Sequence, residues 1–222
     1  AQYVAKQHHL NTSMFWAPGC GIEFGNCPPV VRQYLSTHKI AGVIIAQNYA
    51  RESVYANGAE ADSGLKPACD PSRPLEQCPA HLKAVATFAK QATEGLQELT
   101  SITPHVLVAL PFPQQALTFP NCLTSGTGAG PAQTTSEFAC GWTSVAWQRA
   151  RQGLFVDAIR KVAAQFPTVE VWDPVEIYCY QDRCPAAING GEVIMNDAIH
   201  MTMEASRYSI PTYEGFVAKA VD

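Results

Sequence analysis

The sequence predicts an α/β fold, a flavodoxin-like three-layer sandwich around a parallel sheet. Three observations point there. Residues 40–46, 105–110 and 169–172 are short, nearly continuous apolar runs, the pattern of parallel strands buried on both faces. They alternate with helical patterns, clearest over residues 81–99 and 142–165, and strands alternating with helices build parallel sheets covered on both sides. The notable turns all follow strands: residues 18–21, 47–49, 111–113 and 197–200. Ligands of such sheets bind beyond the carboxyl ends of the strands, so these turns group into one expected site.

At 222 residues a single domain with a sizeable core is the default. Hydrophobic residues make up 47% and charged residues 15%, which excludes a disordered chain. A net charge of -4 gives no basic footprint for nucleic acid. No apolar run approaches the length of a membrane span, and no charged, then apolar leader opens the chain.

Taken in order, residues 1–9 read as the last turns of a helix, with Tyr3 and Val4 on its apolar side. Residues 11–16 form a strand candidate that ends in Ala17-Pro18-Gly19-Cys20-Gly21, a strong turn signal. Pro28 and Pro29 suit the first turn of a helix over residues 30–38. The apolar run at 40–46 ends in Gln47-Asn48-Tyr49. Residues 51–80 are rich in Gly, Pro, Ser, Asp and Asn and lack apolar periodicity, so they read as an insertion or lid, not a second domain. The helix over 81–99 carries Leu82, Val85, Phe88, Ala89, Leu96 and Leu99 on one side. Residues 105–110 close at Pro111-Phe112-Pro113, and residues 114–140 form a second irregular insertion. Its Gly-rich patch, Ser125 to Gly130, lacks the lysine and spacing of a phosphate loop. A helix over 142–165, softly broken near Gly153, leads to the last strand, which Pro174 stops. Residues 201–208 look helical again.

Eight cysteines, Cys20, Cys27, Cys69, Cys78, Cys122, Cys140, Cys179 and Cys184, fall in close sequential pairs within loops. An even set of this kind reads as four disulfides in an oxidising compartment, with sequential pairing the simplest connectivity. Zinc is the rival, but no two cysteines have Cys-x-x-Cys spacing, and no metal is expected.

Asp197 and His200 stand three apart just before a helical stretch. A short turn at that spacing presents both side chains to one pocket, where histidine serves as general base and the carboxylate orients it. A surface aspartate and a capping histidine are the plainer alternative. His8, His9, His38, His81 and His105 have no carboxylate at a suggestive spacing and read as surface or capping residues. Trp142, Trp147 and Phe155 read as core. Trp16, Tyr49 and Phe112 sit at strand ends, suited to stacking on a sugar or to core packing, and Arg51 reads as solvated.

The run Val171-Trp172-Asp173-Pro174, Tyr178-Cys179, Cys184-Pro185 and Asn189-Gly190-Gly191-Glu192-Val193-Ile194-Met195-Asn196-Asp197-Ala198-Ile199-His200-Met201-Thr202 resembles the last block of SGNH hydrolases, the GDSL-type esterases. It is most similar to the SGNH domains appended to integral-membrane O-acyltransferases that acetylate bacterial surface polysaccharides. The resemblance is specific over residues 168–207 and collinear over the rest. It implies a Ser-His-Asp triad with His200 as base and Asp197 as its partner. It also implies oxyanion donors after the second and third strands, here Gly19 or Gly21 and Asn48. The implied activity is transfer of an acetyl group to a glycan hydroxyl through an acyl-serine, with the donor delivered by a membrane acyltransferase domain. The same resemblance implies a periplasmic or extracytoplasmic location, inner-membrane tethering in a full-length protein, and no cofactor. A secreted carbohydrate esterase and an inactive glycan-binding domain are the alternatives.

The departure lies in the nucleophile: no Gly-Asp-Ser occurs in these 222 residues. In the family that motif ends a central first strand. A sheet lacking the strand would leave inner edges unpaired, at about 1–3 kcal/mol for each buried group. The strand and its serine are therefore expected outside these residues. Ser13, Ser125 and Ser144 are the internal alternatives. The usual Gly-x-Asn-Asp is also absent around Asn48, which reads equally as a turn asparagine.

Overall fold

The computed structural model of the chain describes residues 6–7, 9, 11, 13, 20–22, 24–46, 75–115, 138–139, 141–188, 192–194 and 202–221. These belong to two compact units. One comprises residues 1–111, 151–172 and 212–222, the other residues 112–150 and 173–211.

The first unit is an α/β structure around a three-stranded parallel sheet. Strands β1 (Val43–Ala46), β2 (Val106–Ala109) and β5 (Val169–Trp172) lie in the order β1-β2-β5. Val43, Ile44, Ile45 and Ala46 pair with Val106, Leu107, Val108 and Ala109, which pair in turn with Val169, Glu170, Val171 and Trp172. Helix α1 (Pro29–Thr37) precedes β1, and each parallel crossover carries a long helix: α2 (Pro79–Ile102) before β2 and α3 (Val145–Ala163) before β5. Pro28 and Pro29 open α1 without any side-chain cap. Cys78 caps α2, its Sγ accepting the His81 N–H at 3.4 Å.

Side-chain alternation along the strands sorts the two faces. All of β2 is buried. Val106, Val108 and Leu110 join Phe88, Leu96 and Leu99 of α2 and Phe155, Ile159 and Val162 of α3 in one core, with Val169 and Val171 packed against it. Trp172 points the other way and meets Tyr213 edge-on at 5.5 Å. Glu170, on that same face, pairs with Lys219 at 2.7 Å. Tyr213 and Lys219 belong to helix α6 (Ile210–Val221), so the sheet has helices on both sides.

The Cys20–Cys27 disulfide holds a loop that buries Ile22 and Phe24. The loop backbone passes so close to α2 at Gly95 that a Cβ there would overlap the Ile22 carbonyl oxygen and the Phe24 amide nitrogen. Only glycine admits that approach.

Some expectations need correction. Residues 142–144 are not the first turn of a helix; Trp142–Ser144 is strand β4, and α3 begins at Val145. The strand pairs with Phe138–Ala139 just before it and with Arg183–Pro185 some forty residues onward, and the second partner lies beyond the reach of a local pattern. His81 is not a surface residue but only 1% exposed, whereas Leu82, read as core-facing, is 45% exposed. The buried stripe of α2 runs through His81, Phe88, Ala92, Gly95, Leu96 and Leu99; Phe88, Leu96 and Leu99 face the core as expected, with Val85 and Ala89 packed against it. Of the expected strand over residues 11–16, only Asn11 and Ser13 are described.

Candidate functional site

The second unit holds the chain's C-terminal block. Asp173 Oδ1 accepts the Val175 N–H at 3.0 Å and starts the short helix α4 (Val175–Tyr178). Tyr178, 4% exposed, is the anchor of the block. Its hydroxyl donates to the Ala205 carbonyl at 2.9 Å and lies 2.8 Å from Ser209 Oγ. Its ring packs at 5.8 Å from Phe112. Burial pushes the Tyr178 phenol above its ordinary pKa, opposed in part by the hydrogen bond with Ser209.

A disulfide joins Cys179 to Cys184 across a Cα separation of 4.1 Å. Inside it, Tyr180 and Arg183 exchange two main-chain hydrogen bonds, of 2.7 and 3.0 Å. The two residues between them have positive φ, 47° at Gln181 and 62° at Asp182. That is a two-residue hairpin turn of the primed kind, normally filled by Asn-Gly. Strand β6 (Arg183–Pro185) leaves it and pairs antiparallel with β4, itself paired with β3 (Phe138–Ala139).

A buried amide network braces this sheet. The Gln148 side chain grips the main chain of Gln114, Oε1 accepting its N–H at 3.0 Å and Nε2 donating to its carbonyl at 2.5 Å. Gln148 Nε2 also reaches Thr143 Oγ1 at 2.6 Å, and that hydroxyl donates to the Gln114 carbonyl at 3.0 Å. Gln115 Nε2 donates to the Cys184 carbonyl at 3.2 Å. A satisfied network of this kind fixes one arrangement, and losing one member strands the rest. Gln114 and Gln115, at the start of the expected second insertion, are instead buried in this polar seam.

From β6 the chain continues to β7 (Ala187–Ile188) and β8 (Glu192–Val193), which pair antiparallel. Ala186 N–H donates to Gly141 O at 2.7 Å, Ile194 N–H to Ala186 O at 2.7 Å, and Thr202 N–H to Ile194 O at 2.8 Å. Thr202 Oγ1 then accepts the Ala205 N–H at 3.1 Å and caps helix α5 (Met203–Ser206). Both ends of segment 195–201, which contains Asp197 and His200, are thus tied to each other and to the disulfide-braced sheet.

Asp197 and His200 themselves lie outside the described residues, as do Gly19, Asn48, Ser125, Trp16, Tyr49 and Arg51. Gly21 is described, half-buried in the Cys20–Cys27 loop. Cys78 is also disulfide-bonded, while Cys69, Cys122 and Cys140 are outside the described residues. Ser144 Oγ accepts the Trp147 N–H at 2.9 Å as a helix cap. Ser13 is exposed, its Oγ 2.9 Å from the Tyr34 hydroxyl. His38 Nδ1 lies 2.9 Å from the Tyr34 carbonyl, with the two rings stacked. No group of three or more His, Cys, Asp or Glu that would hold a metal occurs among the described residues, and none of the described helices is long and apolar enough to cross a membrane.

Comparison with solved structures gives distant likenesses. The periplasmic domain of a lipopolysaccharide acetyltransferase from Salmonella ser. Paratyphi A aligns over 90% of this chain and 94% of its own, at 10% identity and a TM-score of 0.42. No curated protein matches the chain significantly. The family described as "SGNH domain (fused to AT3 domains)" matches residues 1–214. The chain belongs to this family of SGNH domains.

Proposed function

We propose that this chain is the extracytoplasmic part of an O-acetyltransferase that moves an acetyl group onto a hydroxyl of a bacterial surface glycan. The observation that carries this reading is the family match over residues 1–214, joined to a C-terminal block whose Asp-x-x-His segment is held at both ends. In the proposed reaction, His200 takes the proton of a nucleophilic serine as the serine attacks the acetyl donor. Asp197 holds the imidazole in the right tautomer and stabilises the imidazolium. The leaving group takes the proton and an acetyl-serine remains. His200 then takes the proton of a sugar hydroxyl, which attacks the acetyl-serine and carries the acetyl group away as the imidazolium returns the proton to the departing serine oxygen. Gly19 or Gly21 and Asn48 are the proposed oxyanion donors.

The serine is proposed to come from residues beyond these 222, because the sequence has no Gly-Asp-Ser and the Ser144 hydroxyl is already engaged as a cap. The AT3 partner domain of the family is the proposed source of the acetyl group. Disulfides at Cys20–Cys27 and Cys179–Cys184 suit the periplasm. Incubating the complete gene product with an acetyl donor and the organism's de-O-acetylated surface polysaccharide tests the reading. Acetyl ester on the glycan is the expected product. Free acetate alone makes the protein an esterase, and neither product makes it a binding domain.

A further inference from the structure

The hairpin inside the Cys179–Cys184 bridge is one wall of a concavity of about 640 Å³, lined by Gly141, Trp142, Tyr180, Gln181, Arg183 and Pro185. That volume is in the range of ligand pockets, roughly 300–1,000 Å³. Tyr180 is 74% exposed, the most exposed aromatic side chain among the described residues. Its hydroxyl accepts from Gln181 Nε2 at 3.1 Å. The Arg183 guanidinium lies 4.4 Å from the centre of the Trp142 ring. Such stacking fixes the planar fork of an arginine that is otherwise free to wander.

We propose that this concavity is a subsite for the glycan acceptor, with a sugar ring lying on Tyr180 and its hydroxyl or carboxylate oxygens on Arg183 and Gln181. The assignment rests on the acetyltransferase reading for the identity of the glycan, and on the lining for the class of ligand. No leucine, isoleucine or valine lines it, so it offers an apolar peptide side chain no pocket. It offers aromatic faces beside planar hydrogen-bonding groups, which match a ring with C–H faces and an equatorial belt of oxygens. A lone arginine next to Asp182, in a chain of net charge -4, is a poor match for a polyphosphate or nucleic acid. The wall is also rigid before any ligand arrives. The disulfide, the two Tyr180–Arg183 main-chain bonds and pairing of β6 with β4 leave little to be ordered on binding, which is where affinity is usually lost. The hydrogen bonds from Gly141 through Ala186 and Ile194 to Thr202 link this wall to the ends of the segment that carries His200.

The test is calorimetric titration of the chain with fragments of the organism's de-O-acetylated surface polysaccharide. Tyr180→Ala and Arg183→Gln are each expected to weaken binding roughly tenfold or more. Val30→Ser, which alters another highly exposed apolar residue (66%) elsewhere, is expected to bind as the unaltered chain does. Melting curves establish that the variants are folded, and Arg183→Gln keeps the test valid if Tyr180→Ala is not. Binding that is undiminished in both variants overturns the subsite and leaves the acetyltransferase reading standing. No binding by the unaltered chain also overturns it. Turnover of 4-nitrophenyl acetate by the complete gene product then judges the catalytic reading separately.

Discussion

The main-chain N–H of Thr202 donates a 2.8 Å hydrogen bond to the carbonyl of Ile194, and so joins the two ends of the segment that carries Asp197 and His200. Ile194 is 2% exposed and its own N–H is bonded to Ala186. Thr202 is committed through its side chain to the start of α5. Ile194 and Thr202 can move apart only by breaking these hydrogen bonds. General-base chemistry depends on such constraint, because misplacement by about 1 Å costs on the order of a hundredfold in rate.

Tyr178 ties the two sides of this arrangement together, so Tyr178→Phe is expected to cost about 1–3 kcal/mol through the loss of its bonds to Ala205 and Ser209. Urea unfolding measures it. The raised phenol pKa means that the native state favours the neutral form. The resulting stability is present below the phenol's ordinary pKa and fades as pH rises through the higher folded value. Tyr178→Phe is expected to flatten that alkaline decline, and an unchanged decline contradicts the assignment.

Gly95→Ala sets two effects against each other. Alanine favours the helix by about 1 kcal/mol. Its Cβ would overlap the backbone of Ile22 and Phe24, which cannot move without disturbing the Cys20–Cys27 loop. Overpacking against rigid backbone costs about 1–3 kcal/mol or more, so the variant is expected to melt lower. A raised melting temperature would show that the loop yields.

His81 is buried edge-on against Phe155 at 5.5 Å, with no partner for Nδ1. Burial lowers its pKa below the ordinary histidine value, and nearby Glu76 opposes the shift. The unfolded chain therefore binds a proton more readily. The stability that neutral His81 permits is present above the ordinary histidine pKa and is lost as pH falls towards the lower folded value. His81→Leu is expected to reduce the acid-side loss of stability below pH ~6.5. Identical pH profiles for the two proteins would rule the residue out as its source.

Gln181 and Asp182 occupy left-handed conformations that cost a side chain such as glutamine about 1 kcal/mol or more, and that aspartate tolerates less well than glycine. The double change Gln181→Asn with Asp182→Gly is expected to raise stability by about 1 kcal/mol, read from denaturant midpoints at constant slope. A lower midpoint means that contacts of the native pair outweigh the turn preference.

What could be read from the sequence follows the range of the forces involved. Strands β1, β2 and β5 were legible because burial on both faces makes their residues apolar throughout, and β5 spans the four residues expected. Strand β4 was not, because Trp142-Thr143-Ser144 is only three residues long, adjoins a helical pattern, and is fixed by pairing on both sides with β3 and β6. The core face of α2 is legible from Phe88, Leu96 and Leu99, but its first turn is not, because a histidine, His81, is buried where Leu82 is the apolar choice. The Gln148–Gln114 network left no pattern, because glutamine on a helix reads as solvent-facing. For the site, the Asp-x-x-His block stood out through its flanking cysteines and its resemblance to SGNH domains. The hairpin that displays Tyr180 did not, because Gln-Asp is an uncommon pair for that turn.

The most direct measurement is the rate of acetyl-ester turnover by the complete gene product and its His200→Ala variant. A loss of about a thousandfold or more is expected, leaving only the contribution of binding and oxyanion stabilisation. Full activity in His200→Ala, with the variant folded, would contradict the assignment of His200 as the base and with it the proposed mechanism.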